Sequence, residues 1–555
     1  MRTLYTNCSV FTAAGPADPS RAEAFVVDGG RFSYVGDAAS AAAAAGAGAA
    51  VVDLGGAFVL PGVIDAHTHL LMTGQALGKV QLRDAVSLAD LQERLRQAVR
   101  DTPDAPRVLG SGWLYSTLDG AEPTRQLLDA AVPDRPVYLD ANDLHSVWVN
   151  SAALAELGIG DSTPDPLGGR IGRDASGTAD GLLYETAAVQ IVWPALANAA
   201  RDEDRDAWLE SAFRHYAAAG VTGAVDMAVQ DDDAAAFRRA LARHGGTLPL
   251  RVKGHWLIHR RETTEANLAQ VAQAAELAAE LAEAGTGEWL QLCGIKIIID
   301  GVIDSCTAAM KEPYADGSSA EPIWDRESLY PVVVAADAAG LQVALHAIGD
   351  EASDIALDAL EEAVRVNGPA QPGHRARRHR IEHLETVTEA NVQRLADLGV
   401  VASVQPVHAD PAIQANWQAV LGDHRVERAY PWTEFTGAGA RLAISTDAPT
   451  APYQVLPNLY VAATRKSALD PGRPANLPQY ALELADAICH ATRDAAYSCR
   501  AEDSLGRIIP GQLADFTVLA TDPLTAEAES LLANTVLLTV TGGETVFDNA
   551  AATLS

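Results

Sequence analysis

At 555 residues the chain is too long for one small core and suits a large barrel or sheet domain carrying extra parts. Hydrophobic residues make up 48% and charged ones 21%, a globular composition. The net charge of −32, uninterrupted by any basic run, repels phosphate backbones and anionic headgroups and so argues against nucleic acid and membrane surfaces as partners.

Residues 4–59 read as hairpins, because alternating runs such as Phe25-Val26-Val27-Asp28 and Arg31-Phe32-Ser33-Tyr34-Val35 are separated by Gly-Gly and Gly-Asp turns. Residues 38–52 are mostly alanine and glycine and too short to span a bilayer, so a helix and turn are expected there. No charged leader precedes an apolar core, and no signal peptide is expected. The five cysteines are scattered and lack a C-x-x-C spacing, which suits a reducing compartment and points to the cytoplasm.

An apolar strand from Phe58 ends in His67-Thr68-His69, and strand alternation turns both imidazoles to one side, where they could grip one divalent cation. Alone, such a pair is more often a polar turn or a chance pair than a ligand set. Beyond it, apolar runs alternate with alanine-rich helical stretches and end near His69, Met227, His259, Asp300, Ala347, Glu385, Pro406 and Asp447. Eight such strands predict a (β/α)8 barrel with its active site at their C-terminal ends. About 150 residues separate the first strand from the second, so an insertion over about 70–220 is expected near the barrel mouth. Its Trp113, Tyr115, His145 and Trp148 could line a substrate pocket or form the insertion's own core. Strand-like runs at Asp515-Phe516-Thr517-Val518-Leu519 and Thr535 to Val540 are expected to join residues 1–59 in a discontinuous domain made of 1–59 and 508–555 around a barrel of 60–507.

Lys296 stands in the apolar strand Cys293-Gly294-Ile295-Lys296-Ile297-Ile298-Ile299-Asp300, although the chain has only five lysines. Burial favours its free amine, which can add carbon dioxide and become a carbamate able to bridge two metals; a plain pairing with Asp300 or Asp304 is the alternative. His346 and His383 each end a strand and Asp447 ends the last, where structural histidines and a helix-capping aspartate are the plain explanations. One acid, one lysine and four histidines on strands one, four, five, six and eight of one barrel are harder to explain so.

The stretches Pro61 to Leu70, Lys296, Leu345-His346-Ala347, Ile381-Glu382-His383 and Ser445-Thr446-Asp447 resemble the amidohydrolase superfamily, metal-dependent hydrolases on a (β/α)8 barrel with a flanking β-sandwich. The runs from Lys296 to Ala309, His145 to Ser151, Ser403 to His408 and Gly168 to Ile171 are similar to its YtcJ-like branch, which includes N-substituted formamide deformylases. The resemblance implies that His67, His69 and Asp447 hold one metal, His346 and His383 a second, and carboxylated Lys296 bridges them. Imidazole and carboxylate donors suit zinc first, with manganese, iron or cobalt as alternatives, at one or two ions per chain. One departure is Ile303-Asp304-Ser305-Cys306, where relatives often carry a small Ser-Arg pattern.

The expected reaction is hydrolysis of the amide bond of a small N-acyl or N-formyl amine by metal-activated hydroxide, with Asp447 as ligand and proton shuttle. A lactone, cyclic amide or aminated ring is the alternative bond, and a barrel protein that has lost catalysis the alternative class. Trp113, Tyr115, His145, Trp148, Asp300 and His408 are the candidate substrate contacts. A homodimer is the usual prior for an enzyme of this size.

Overall fold

Eight parallel strands form the frame: β1 (Val63–Thr68), β2 (Val221–Val229), β3 (Arg251–Leu257), β4 (Leu290–Ile298), β5 (Gln342–Ala347), β6 (Arg380–His383), β7 (Val401–Val404) and β8 (Arg441–Ile444). They hydrogen-bond in that order. The ring closes through the strand ends, where Asp447 N donates to His67 O at 2.7 Å and His69 N to Ala448 O at 3.0 Å. Helices such as Thr264–Glu283, Arg326–Ala338 and Asp350–Asn367 follow β3, β4 and β5, giving a (β/α)8 barrel of the expected class. The computed structural model describes residues 2–15, 21–118, 121–141, 146–166, 169–185, 187–369, 377–414 and 416–549.

The chain divides into two units, Met1–Leu70 with Ala212–Ser555, and Leu71–Ser211. In the first, strands from both ends of the sequence share one sheet, ordered Glu544–Asp548, Val536–Thr541, Phe516–Leu519, Phe58–Pro61, Ser9–Phe11 and Arg21–Ala22. A four-stranded sheet of Arg31–Gly36, Ala24–Asp28, Thr3–Thr6 and Ala50–Asp53 accompanies it. Tyr5, Phe25, Phe32 and Phe516 pack ring on ring in this flanking domain, with Phe516 edge-on to Phe25 at 5.0 Å.

Two features tie the flanking sheets to the barrel. Gly62 is the joint at which strand Phe58–Pro61 leaves its sheet to become β1, and a Cβ there would stand 2.1 Å from Thr222 Oγ1 on β2. At the start of β3 the buried Arg251 guanidinium holds Asp515 in a two-pronged pair of 2.7 and 3.0 Å and stacks on the Trp289 ring.

The second unit is built on a six-stranded sheet, ordered Gly169–Arg173, Ala179–Glu185, Ser146–Val149, Val137–Ala141, Val108–Trp113 and Val80–Gln81. Its core gathers Leu91, Leu95, Leu128 and Leu139 around Trp113 and Trp148. Among the described residues no helix is long and apolar enough to cross a membrane.

Candidate metal centre

His67 in β1 and His69 just past it meet Asp447, three residues beyond β8, at one point. His67 Nε2 lies 3.2 Å and His69 Nε2 3.0 Å from Asp447 Oδ1. The other ring nitrogen of His67, Nδ1, is 2.8 Å from Glu382 Oε2, a carboxylate that accepts its proton. That contact orients the ring, leaving His67 Nε2 to face Asp447.

Two strands away His383 joins the group, its ligand nitrogen within 4.8 Å of those of His67 and Asp447. Strict alternation would have pointed it elsewhere, because Arg380 and Glu382 already face the barrel interior: Arg380 donates to Ala66 O and Ser403 Oγ, and pairs with Glu382. A left-handed backbone at His383 (φ 78°) and Leu384 (φ 51°) turns the ring inward. Asp447 is held the same way at φ 58°. Such conformations are uncommon for non-glycine residues and collect at functional sites.

His346 on β5 lies against His383, ring centres 4.2 Å apart. Burial, followed by the charge of Lys296, pushes the His346 pKa down to about 3, while burial and then His346 hold His383 well below its usual range. Both are therefore neutral imidazoles near neutral pH, the form that binds metal. Lys296 is 2% exposed, its Nζ has no hydrogen-bond partner, and burial lowers its pKa to about 8. Burial opposes the charge on Asp447, yet His67 and His69 hold its pKa well below the ordinary carboxylate range. The grouping of His67, His383 and Asp447, the neutral imidazoles of His346 and His383, and unpartnered buried nitrogens at Lys296 Nζ, His69 Nδ1 and His383 Nδ1 fit a divalent cation.

Residues 50–547 match the amidohydrolase family. The chain belongs to that family. It is 30% identical to the putative amidohydrolase YtcJ of Bacillus subtilis over 90% of each chain, and 29% identical to the N-substituted formamide deformylase of Arthrobacter pascens over 94% of each. A solved metal-dependent hydrolase of uncharacterised function from Pyrococcus furiosus superposes with TM-score 0.75 at 27% identity, covering 94% of this chain and all of the other. This amidohydrolase is thus a metal-dependent hydrolase acting on carbon–nitrogen bonds.

Around the amidohydrolase centre stand residues that strand patterning alone did not single out. Glu382 and Arg380 are fully buried charges at alternate positions of one strand, and that pairing was the signal available. Asp65, two residues before His67, accepts from Thr446 N and Oγ1 and so holds the end of β8. Asp226 on β2 accepts from Leu70 N at 2.8 Å, fixing the chain just beyond His69. Glu385 approaches His408 Nδ1 at 3.4 Å, and His408 Nε2 lies 3.7 Å from Asp447 Oδ2. His408, expected among the substrate contacts, is therefore at the centre, stacked on His383 at 5.8 Å.

Other expectations are corrected. Asp300 is fully buried, and its carboxylate is occupied by three backbone donors, Ala309 N, Ile348 N and Gly349 N, at 3.0, 3.1 and 2.8 Å. It braces loops rather than meeting substrate. Trp113 and Trp148 are 1% and 0% exposed and pack at 5.3 Å in the core of the Leu71–Ser211 unit, with Trp113 Nε1 donating to Leu139 O. They are core, not pocket. Tyr115 opens the short turn Tyr115–Leu118; its side chain and all of His145 lie outside the described residues.

Proposed function

We propose that this amidohydrolase cleaves the amide bond of a small N-acyl or N-formyl amine, releasing a carboxylic acid and a free amine. The observation that carries the reading is the convergence of the His67 and His69 imidazoles on Asp447 with Lys296 unpartnered beside them. The similarity to an N-substituted formamide deformylase points to the same bond. His67, His69 and Asp447 would hold one divalent ion, zinc by preference. His346 and His383 would hold a second, with Lys296, as its carbamate, shared between them. Bound there, the metal polarises the carbonyl and acidifies the attacking water.

The chain's own groups manage the proton. Asp447 takes it as the water oxygen bonds to the carbonyl carbon, then delivers it to the nitrogen as the C–N bond breaks, since an amine leaves poorly unless protonated. Thr450 Oγ1 donates to Asp447 Oδ2 at 3.0 Å and keeps that oxygen aimed while Oδ1 faces the histidines. Glu382 keeps His67 in one tautomer through the cycle.

The test is amine release from a panel of N-formyl, N-acetyl and longer N-acyl amines with and without chelator. Chelator-sensitive release is expected. Asp447→Asn should cut turnover by about a thousandfold while keeping most of the bound metal. Full activity in that variant, or no release from a metal-loaded protein, would sink the reading.

A further inference from the structure

On β4, Lys296 and Ile298 lie on one face, because side chains two apart share a side of the strand. The alternate residues Ile295, Ile297 and Ile299 are all 0% exposed, whereas Lys296 faces the charges of Glu382 and Asp447 inside the barrel. Ile298 therefore stands one layer above Lys296, toward the mouth. It is the one exposed residue of β4, at 37%, and it pairs in register with His346. Val302, just beyond the strand, is equally exposed. Ile298 and Val302 thus present apolar surface beside His346, where a substrate's apolar group can pack.

Which end of the substrate covers it follows from the barrel. Asp447 serves the leaving nitrogen, so the amine lies on the β8 side, where Thr450, His408 and Glu385 make the surroundings polar and acidic. In a closed ring of eight strands β4 is four steps from β8 in either direction, hence directly opposite. The acyl group points there.

We infer that Ile298 is the wall of the acyl pocket, and that the preferred substrates are N-acyl amines whose acyl part is an alkyl or aryl group rather than formyl. This rests on the amide-hydrolase reading and names its substrate class. The test uses one amine bearing formyl, acetyl, butyryl and hexanoyl groups, with kcat/KM measured for the natural protein and for Ile298→Val, Ile298→Ala and Ile298→Asp, each checked for metal content and melting temperature. In the natural protein kcat/KM should rise at least tenfold from formyl to butyryl. The butyryl-to-formyl ratio should fall only slightly in Ile298→Val, about fivefold in Ile298→Ala, and most in Ile298→Asp. A natural protein that prefers formyl, or a ratio untouched by all three substitutions, overturns the assignment of Ile298. Chelator-insensitive or absent release across the whole series would instead overturn the amide-hydrolase reading beneath it.

Discussion

A protonated Lys296 would be an ammonium enclosed in the barrel with no oxygen to accept from it. Burial lowers its pKa from 10.5 to about 8. In metal-free protein kept free of carbon dioxide, the unfolded chain binds the extra proton between those two values, so stability rises with pH across that window. Below pH 8 the buried charge should cost about 3 kcal/mol, and Lys296→Met should melt higher than the natural protein by a margin that shrinks toward pH 10.5. A margin independent of pH would refute this account. The oddity of Lys296 was legible, since a lone charge in an apolar strand is visible in any sequence. The positions of His67, His69, His346 and Asp447 were legible too, as strand ends. Glu385 was legible as a strand end but not as the partner of His408: two left-handed non-glycine residues precede it, and nothing in their side chains announces that turn.

The β4 and β5 loops are organised from within by one carboxylate. Asp300 ends the run from β4 and gathers amides from Ala309 in its own loop and from Ile348 and Gly349 beyond β5. Its removal leaves three buried donors unpaired beside His346, whose Nε2 is 3.6 Å from Asp300 Oδ1. Asp300→Ala is expected to lower stability by about 3 kcal/mol and turnover at least tenfold, seen as a lower melting temperature together with a lower kcat. Unchanged values for both would dismiss the brace. The sequence placed a carboxylate at this strand end but could not say whether it faced substrate or backbone, because the amides that donate to it lie up to 49 residues away. Likewise Trp113 and Trp148 read as candidate pocket aromatics while the strands that enclose them, Val108–Trp113 and Ser146–Val149, belong to a sheet whose pairing no local pattern displays.

At the scale of the molecule, the alternation of strands and helices made the barrel readable, and turn chemistry made the β-rich ends readable. What no pattern revealed is the Arg251–Asp515 pair that fastens a strand of one end to the start of β3. Arg251→Met leaves Asp515 buried without its partner and should cost about 3–5 kcal/mol, whereas Arg251→Met with Asp515→Leu should recover most of that loss. An Arg251→Met variant that melts with the natural protein would show that the pair contributes nothing. The order of strands in the flanking sheet also sets a timetable for synthesis. Strand Phe58–Pro61 leaves the ribosome early, but its neighbour Phe516–Leu519 follows about 450 residues later, roughly half a minute at ordinary rates of translation. For that interval the nascent chain carries the apolar edge Phe58-Val59-Leu60 with no partner on that side, an invitation to holding chaperones and to aggregation when translation stalls. An interrupted message therefore yields no smaller enzyme, only a sticky fragment for proteolysis.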